Sequence, residues 1–239
     1  MKPAPLISVV IPAREEGEAI IPCLRGLSRA LKGMAHEILV VCDFGGDSTL
    51  AALAAMEDRP KEARGVVNGL GPGPGRAMRA GFAQARGDVV ASFMADGSDD
   101  PEAVPRLAEA VRQGAAVAGA ARPLSAGRSA KSLLRRAAGL SLALAGLPTA
   151  DPTNNFRAYS AAFLRAVRPR SAGFSLALEL TVKAWEQGLS LAEVPCAGGS
   201  RVSGRSRFSL ARQLPGYLPW YARAWLAAAR RRARASLSS

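Results

Sequence analysis

The chain has 239 residues, 49% apolar and 21% charged, the size and balance of one large globular domain and not of a disordered, collagen-like or disulfide-dense chain. Its formal charge of +13 is unevenly held: residues 1–119 carry 13 basic and 15 acidic side chains, whereas residues 120–239 carry 19 and 4. The excess belongs to the second half and asks for a local cause such as a polyphosphate, an anionic membrane surface or nucleic acid. Cys23, Cys42 and Cys196 are odd in number, far apart and set in apolar runs, the pattern of a reduced compartment without a disulfide framework. The opening MKPAPLISVVIP reads as too short an apolar run for a signal peptide, and no uninterrupted stretch of 18 apolar residues is expected to span a bilayer.

In chain order, short β-branched runs alternate with longer helical ones, which predicts an α/β fold around a mainly parallel sheet. LISVVI (6–11) is the first strand, followed by the loop PAREEGE and a helix to about Leu31. HEILVVCD (36–43) is the second, after which GGDST supplies turn glycines and an N-cap at Asp47 for an alanine-rich helix. RGVVN (64–68) precedes the loop GLGPGPG and the helix RAMRAGFAQA; DVVASFM (88–94) precedes DGSDDPE, which opens another helix. AAVAGAA (115–121) is a fifth strand. A helical pattern covers 128–147, basic at its start and apolar at its end; then come FRAY (156–159), a helix over 174–188, LSLAEVP (189–195) and a long aromatic and arginine-rich segment from Phe208.

In open parallel sheets ligands bind outside the carboxyl ends of the strands. Three such ends carry acids: Glu15 and Glu16, then Asp43 and Asp47, then Asp96, Asp99 and Asp100. Carboxylates gathered on one rim repel one another unless a cation sits among them, and a hard divalent ion completed by substrate phosphates suits oxygen ligands. Asp47, and Asp99 or Asp100, read equally well as helix caps, whereas Asp96, directly at the end of an apolar strand, reads as chemical. GLGPGPG (69–75) has the glycines of a dinucleotide fingerprint, but it follows the third strand, contains prolines and lacks an acid about 20 residues on. It reads as a loop that lets the chain pass close to a ligand.

Taken in order, VVIPAREE, EILVVCDFGGDST, RAGFAQARGDVV, FMADGSDDPE, DPTNNFRAY, GFSLALELTVKAWEQG and RVSGRSRF resemble the family 2 glycosyltransferases, in the branch similar to dolichyl-phosphate mannose synthases and bacterial polyprenyl-phosphate glycosyltransferases. The resemblance spans residues 6–221. It implies a GT-A type nucleotide-sugar fold over 1–207, with 208–239 an amphipathic basic C-terminal helical segment. It also implies a nucleotide-diphosphate sugar donor, Mg²⁺ or Mn²⁺, and inversion at the anomeric carbon. Residue by residue, Pro12, Ala13, Arg14 and Glu16 match the segment lining the nucleotide pocket, and Asp43 matches the acid at the base or ribose. Asp96 matches the second acid of the metal-binding D-x-D motif. Arg201, Ser206 and Arg207 match a loop closing over the phosphates, and Arg157 and Glu179 match positions on the acceptor side. Met94 stands where the first D-x-D acid usually lies, Cys42 replaces the first of an acidic pair, and Arg14 replaces an asparagine. The expected repair is a site in which Asp96, with Asp99 or Asp100, holds the ion on the donor diphosphate.

A phosphate monoester is anionic at pH 7 and attacks without a general base, whereas a hydroxyl acceptor needs one, with Asp99 or Asp100 the candidates. The arginines of the second half, Arg201 among them, suit a phosphate acceptor held by guanidinium groups, which the resemblance implies is a polyprenyl phosphate. Transfer to a hydroxyl, and donor binding without turnover because of Met94, are the other two readings. Tyr217, Trp220, Tyr221 and Trp225 recur at three- to four-residue spacing beside Arg212, Arg223, Arg230, Arg231, Arg232 and Arg234. This is the make-up of a helix at anionic headgroups, and also of an aromatic stripe packed onto the domain. The 128–147 helix is a candidate second contact. The expected location is the inner face of the cell membrane, peripherally or through a separate membrane-anchoring protein. Nucleic acid is not an expected partner: no nucleic-acid motif is present, and the acid rim would repel a phosphate backbone.

Overall fold

The computed structural model describes residues 6–121, 130–149, 151, 154–196 and 210–237. Its strands are β1 (Ile7–Ala13), β2 (His36–Cys42), β3 (Ala63–Val67), β4 (Val89–Ser92), β5 (Val117–Ala121), β6 (Arg157–Ser160) and β7 (Leu191–Pro195). Its helices are α1 (Ile20–Ala30), entered through a 3₁₀ turn at Gly17–Ala19, α2 (Ser48–Ala55), α3 (Pro74–Gln84), α4 (Ala103–Arg112), α5 (Ala130–Leu144), α6 (Ala161–Val167), α7 (Leu176–Glu186) and α8 (Leu210–Leu237).

The strands form one sheet in the order β3-β2-β1-β4-β6-β5-β7. Neighbours β1 to β4 are parallel, β5 and β7 are parallel, and β6 runs against both β4 and β5. The mainly parallel α/β sheet expected from the alternation of runs is what forms. Winding outward from β1 through β2 to β3, the chain then crosses back and lays β4 on the other side of β1, pairing Val10 with Ser92. This reversal opens a crevice beyond the carboxyl ends of β1 and β4, the place where such sheets bind ligands.

Side chains alternate across the sheet and separate two cores. Val9 and Ile11 face the cluster made with Leu24 and Leu27 of α1 and Val104 and Leu107 of α4. Val10 faces the opposite cluster, with Met78 of α3 and Leu176 and Leu180 of α7. At the amino ends of the strands a polar lock ties β1, β2 and the turn before β4 together. The Ser8 hydroxyl donates to Glu37 at 2.7 Å and accepts from Gly87 N at 2.8 Å, and Arg86 donates to the same carboxylate through its backbone and its guanidinium.

A third cluster docks α8. Tyr217, Ala224 and Ala228 pack on Leu142 and Leu147 from the α5 region and on Leu178, Val182 and Trp185 of α7, with Trp220 and Tyr221 beside them. Three of the four aromatics in the predicted stripe therefore turn inward, and Trp225 stays 40% exposed. The tail arginines take part in the docking. Arg231 donates to Trp185 O and stacks 4.1 Å over its ring; Arg232 donates to Leu144 O at 2.8 Å. Both carbonyls lie in last helical turns, where cations are favoured.

Candidate active site at the sheet switch point

The crevice is built from the loops that leave the strands. After β1, Glu15 adopts a left-handed φ of +52°, and the loop is held there by α2. Both Asp47 carboxylate oxygens accept from Glu15 N at 3.0 Å, and Thr49 Oγ1 accepts from Glu16 N at 3.0 Å. Asp47 also accepts from Thr49 N at 2.8 Å, so this buried acid is the N-cap of α2 and the clamp on the β1 loop. Pro12 and Ala13 are buried at the end of β1, Arg14 and Glu15 are exposed, and Glu16 is half-buried.

After β2, Asp43 accepts from Gly73 N at 3.2 Å through both oxygens and from Asn68 Nδ2 at 3.0 Å, and the exposed Arg14 guanidinium stands 3.9 Å away. Asn68 also donates to Gly71 O at 2.7 Å and accepts from Leu70 N at 2.9 Å, closing the turn after β3 onto Asp43. Sequence reasoning passed over Asn68; its signal was an asparagine at a strand end immediately before a glycine loop. The glycines of that loop bring α3 against the 171–173 backbone. Gly75 N donates to Ala172 O at 2.9 Å, and a Cβ on Gly75 would lie 2.5 Å from Gly173 O.

After β4 comes the acidic turn. Asp96 is half-buried and accepts from Ser98 N at 3.0 Å. Asp99 is buried and accepts from Met94 N at 2.8 Å. Asp100 accepts from Glu102 N at 3.0 Å at the start of α4 and lies 3.9 Å from Arg106. Two thiols sit beneath the acids. Burial pushes both Cys23 and Cys42 up to about 12, helped by Asp99 and Asp96 for the first and by Asp47 and Asp43 for the second. Both are neutral at pH 7 and offer no thiolate nucleophile.

The residues matched to the acceptor side are deeply placed. Arg157, at the start of β6, is 3% exposed and donates to Asn154 O at 2.9 Å and Asp151 O at 2.7 Å, which ties those two residues to β6. Asn154 is also anchored on Ala120 O at 2.8 Å. Glu179 is fully buried in α7 and accepts from Arg170 N at 2.9 Å, Ser171 N at 2.6 Å and Lys183 Nζ at 2.5 Å. Burial pushes its carboxyl up, but the hydrogen bonds from Lys183 and Ser171 overcome this and hold it below the ordinary value. Glu179 thus fixes the 170–173 segment on which α3 rests. Arg201, Ser206 and Arg207 lie outside the described residues.

Among the described residues no three His, Cys, Asp or Glu side chains converge to enclose a metal by themselves. The acidic turn does fit an open cation site, in which one or two carboxylates share the ion with substrate phosphates and water.

The family model of glycosyl transferase family 2 matches residues 8–165. An undecaprenyl-phosphate 4-deoxy-4-formamido-L-arabinose transferase of Pseudomonas fluorescens (strain Pf0-1) is 30% identical over 224 residues, 87% of this chain and 62% of that protein. The dolichol-phosphate mannosyltransferase of Pyrococcus furiosus is 27% identical over 210 residues, 84% of this chain and 58% of that protein. The chain thus spans less than two thirds of the length of these relatives. In fold it is similar to glucosyl-3-phosphoglycerate synthase from Mycobacterium tuberculosis, solved with Mn²⁺, uridine diphosphate and glucosyl-3-phosphoglycerate. There the TM-score is 0.72 at 21% identity, over 95% of this chain and 81% of that one. The same enzyme solved with Mg²⁺ and uridine diphosphate gives 0.73 at 22%, over 92% and 80%. With the family model covering the strands and loops that build the crevice, the chain belongs to glycosyl transferase family 2.

Proposed function

We propose that this chain transfers a hexose from a nucleotide-diphosphate sugar to a polyprenyl phosphate, with inversion, at the inner face of the cell membrane. The observation that carries the reading is the crevice itself: the loops bearing Arg14, Asp43 and Asp96 leave neighbouring strands at the point where the sheet order reverses. The two relatives named above, which match more than four fifths of the chain, both have a polyprenyl-type phosphate in their names.

In this reading Arg14 and Asp43, with Pro12, Ala13 and Glu16 behind them, hold the nucleoside end. Asp96 holds Mg²⁺ or Mn²⁺ with the donor diphosphate, and Asp99 fixes the turn by holding Met94 N. The cation supplies positive charge to the leaving diphosphate. Arg201, Ser206 and Arg207 complete the phosphate contacts. Arg157 and Glu179 act on the acceptor side by holding Asp151 and Asn154 and the 170–171 backbone. The lipid phosphate oxygen attacks in line from the face opposite the diphosphate and needs no proton removed. Asp99 and Asp100, the candidate bases for a hydroxyl acceptor, each hold a backbone N–H of the acidic turn, which supports the phosphate acceptor.

The test is incubation of the full chain with radiolabelled nucleotide sugars and Mn²⁺, offering a short polyprenyl phosphate in one reaction and the matching polyprenol in another. Label in a mild-acid-labile lipid from the phosphate alone is expected. Label on the polyprenol, or donor binding without product, overturns the proposal.

A further inference from the structure

More than half of the exposed large apolar side chains among the described residues lie on two adjacent helices. On α5 these include Leu133, Leu140 and Leu144, at 67, 64 and 62% exposure; on α8 they include Leu218, Trp225 and Leu226, at 55, 40 and 59%. The spacing on α5 sets its leucines along one face. On α8 the inner side is the Tyr217, Ala224 and Ala228 face already packed on the domain, so the outer apolar side is a second one. A helix apolar on two sides calls for two apolar neighbours, and the domain supplies one. The outer faces are continuous, because the Trp225 indole N–H donates to Ser141 Oγ at 3.2 Å and so joins α8 to the stretch of α5 between Leu140 and Leu144.

Charge decides what the second neighbour is. The two helices together carry nine basic side chains and no Asp or Glu. Exposed Arg136 follows Leu133 by three residues and exposed Arg230 follows Leu226 by four, each within reach of the apolar face along its own helix. A second copy of the chain would oppose one basic rim with another, whereas an anionic bilayer offers acyl chains to the leucines and phosphates to the arginines. We propose that the joined outer face of α5 and α8 is a membrane-docking platform: its leucines and Trp225 enter the boundary between headgroups and acyl chains, and its arginines contact lipid phosphates. The platform deepens the polyprenyl-phosphate reading and rests on it only in placing the work of this chain at a bilayer.

The test uses the full chain with phosphatidylglycerol-containing vesicles that hold no polyprenyl phosphate, and phosphatidylcholine vesicles for comparison. Flotation with the anionic vesicles that weakens with salt is expected, as is quenching of tryptophan emission by brominated acyl chains that Trp225→Phe diminishes. The combined variant Leu140→Gln, Leu218→Gln and Leu226→Gln is expected to lower vesicle partitioning by at least about thirty-fold, since each leucine gives up apolar burial. Its melting temperature should stay near that of the parent, because all three side chains are exposed in the free protein. No flotation, flotation of the variant equal to that of the parent, or leucine-dependent self-association that excludes vesicles overturns the platform. Transfer to a short-chain polyprenyl phosphate in solution separates the two proposals. Transfer retained by the variant leaves catalysis standing if docking fails, and vesicle binding without transfer by the parent leaves docking standing if catalysis fails.

Discussion

Asp96 is the half-buried acid of a turn in which Asp99 and Asp100 hold the N–H groups of Met94 and Glu102. Asp96→Asn keeps the shape, and an oxygen for Ser98 N, while removing the charge that would meet the cation. Transfer should fall by about 100-fold or more, as when a group stabilising transition-state charge is lost. The Mn²⁺-dependent part of nucleotide affinity should go with it, while thermal stability stays close to that of the parent; unchanged turnover would remove Asp96 from the site. Acid stability draws on two other carboxylates held below their ordinary value, Glu179 and Glu37. Burial pushes Glu37 up, but hydrogen bonds from Arg86 and Ser8 more than compensate, so its folded value lies below the ordinary one. A depressed carboxylate stabilises the fold above its unfolded value and loses that contribution as pH falls through the folded one. Denaturant stability should therefore decline as pH drops below about 4.3. Glu37→Ala should cost about 1–3 kcal/mol at pH 7 by stripping the acceptor from Arg86 and Ser8, and should flatten the acid limb, as urea unfolding at several pH values will read. Residues of this kind are partly legible in a sequence. Asp47 announced itself as a cap and Asn68 carried a turn signal before its glycine loop, but the partner that makes Asn68 part of the site is Asp43, 25 residues away, and Glu37 is defined by Arg86, 49 residues away, with no local pattern to mark it.

At the scale of elements, the strands and helices follow the apolar periodicity closely, because period-2 runs and period-3.6 runs differ strongly in this chain. Three features escape such reading, the first being α6 (Ala161–Val167), whose seven residues are too few to show a period. The reversed direction of β6 depends on which edges are free when the segment arrives, and FRAY would look the same in either sense. The orientation of α8 escapes because apolar residues occupy both of its sides. An aromatic stripe then says that a face is buried without saying whether protein or lipid buries it, and the structure turns Tyr217, Trp220 and Tyr221 onto α5 and α7. The GLGPGPG loop is the clearest case of a motif whose cause is packing. Gly75→Ala would place a methyl 2.5 Å from Gly173 O and 2.7 Å from Ser171 O, backbone atoms with no flexible end to move aside. A cost of about 2 kcal/mol is expected, and a shift in thermal unfolding of only a few tenths would show that the 171–173 segment yields.

For the whole molecule, the charge imbalance becomes a division of space. The acidic half supplies β1 to β4 and the rim of their carboxyl ends, to which the proposed reading assigns the cation and the diphosphate. In the basic half Glu179 and Glu186 are matched by Lys183 and Arg223, which leaves exposed Arg136 of α5 and Arg230 of α8 as positive charge beside exposed leucines. Sheet topology, acid rim and basic platform fit one molecule that grips a soluble charged donor at one place and a lipid phase at another. A single in-line displacement on the donor by a lipid phosphate fixes the anomeric configuration of the product, which can be measured. From an α-linked nucleotide sugar, NMR of the purified lipid should show a β-linked hexosyl phosphate. Retention of the α configuration, or a sugar attached anywhere but the lipid phosphate, would contradict the account.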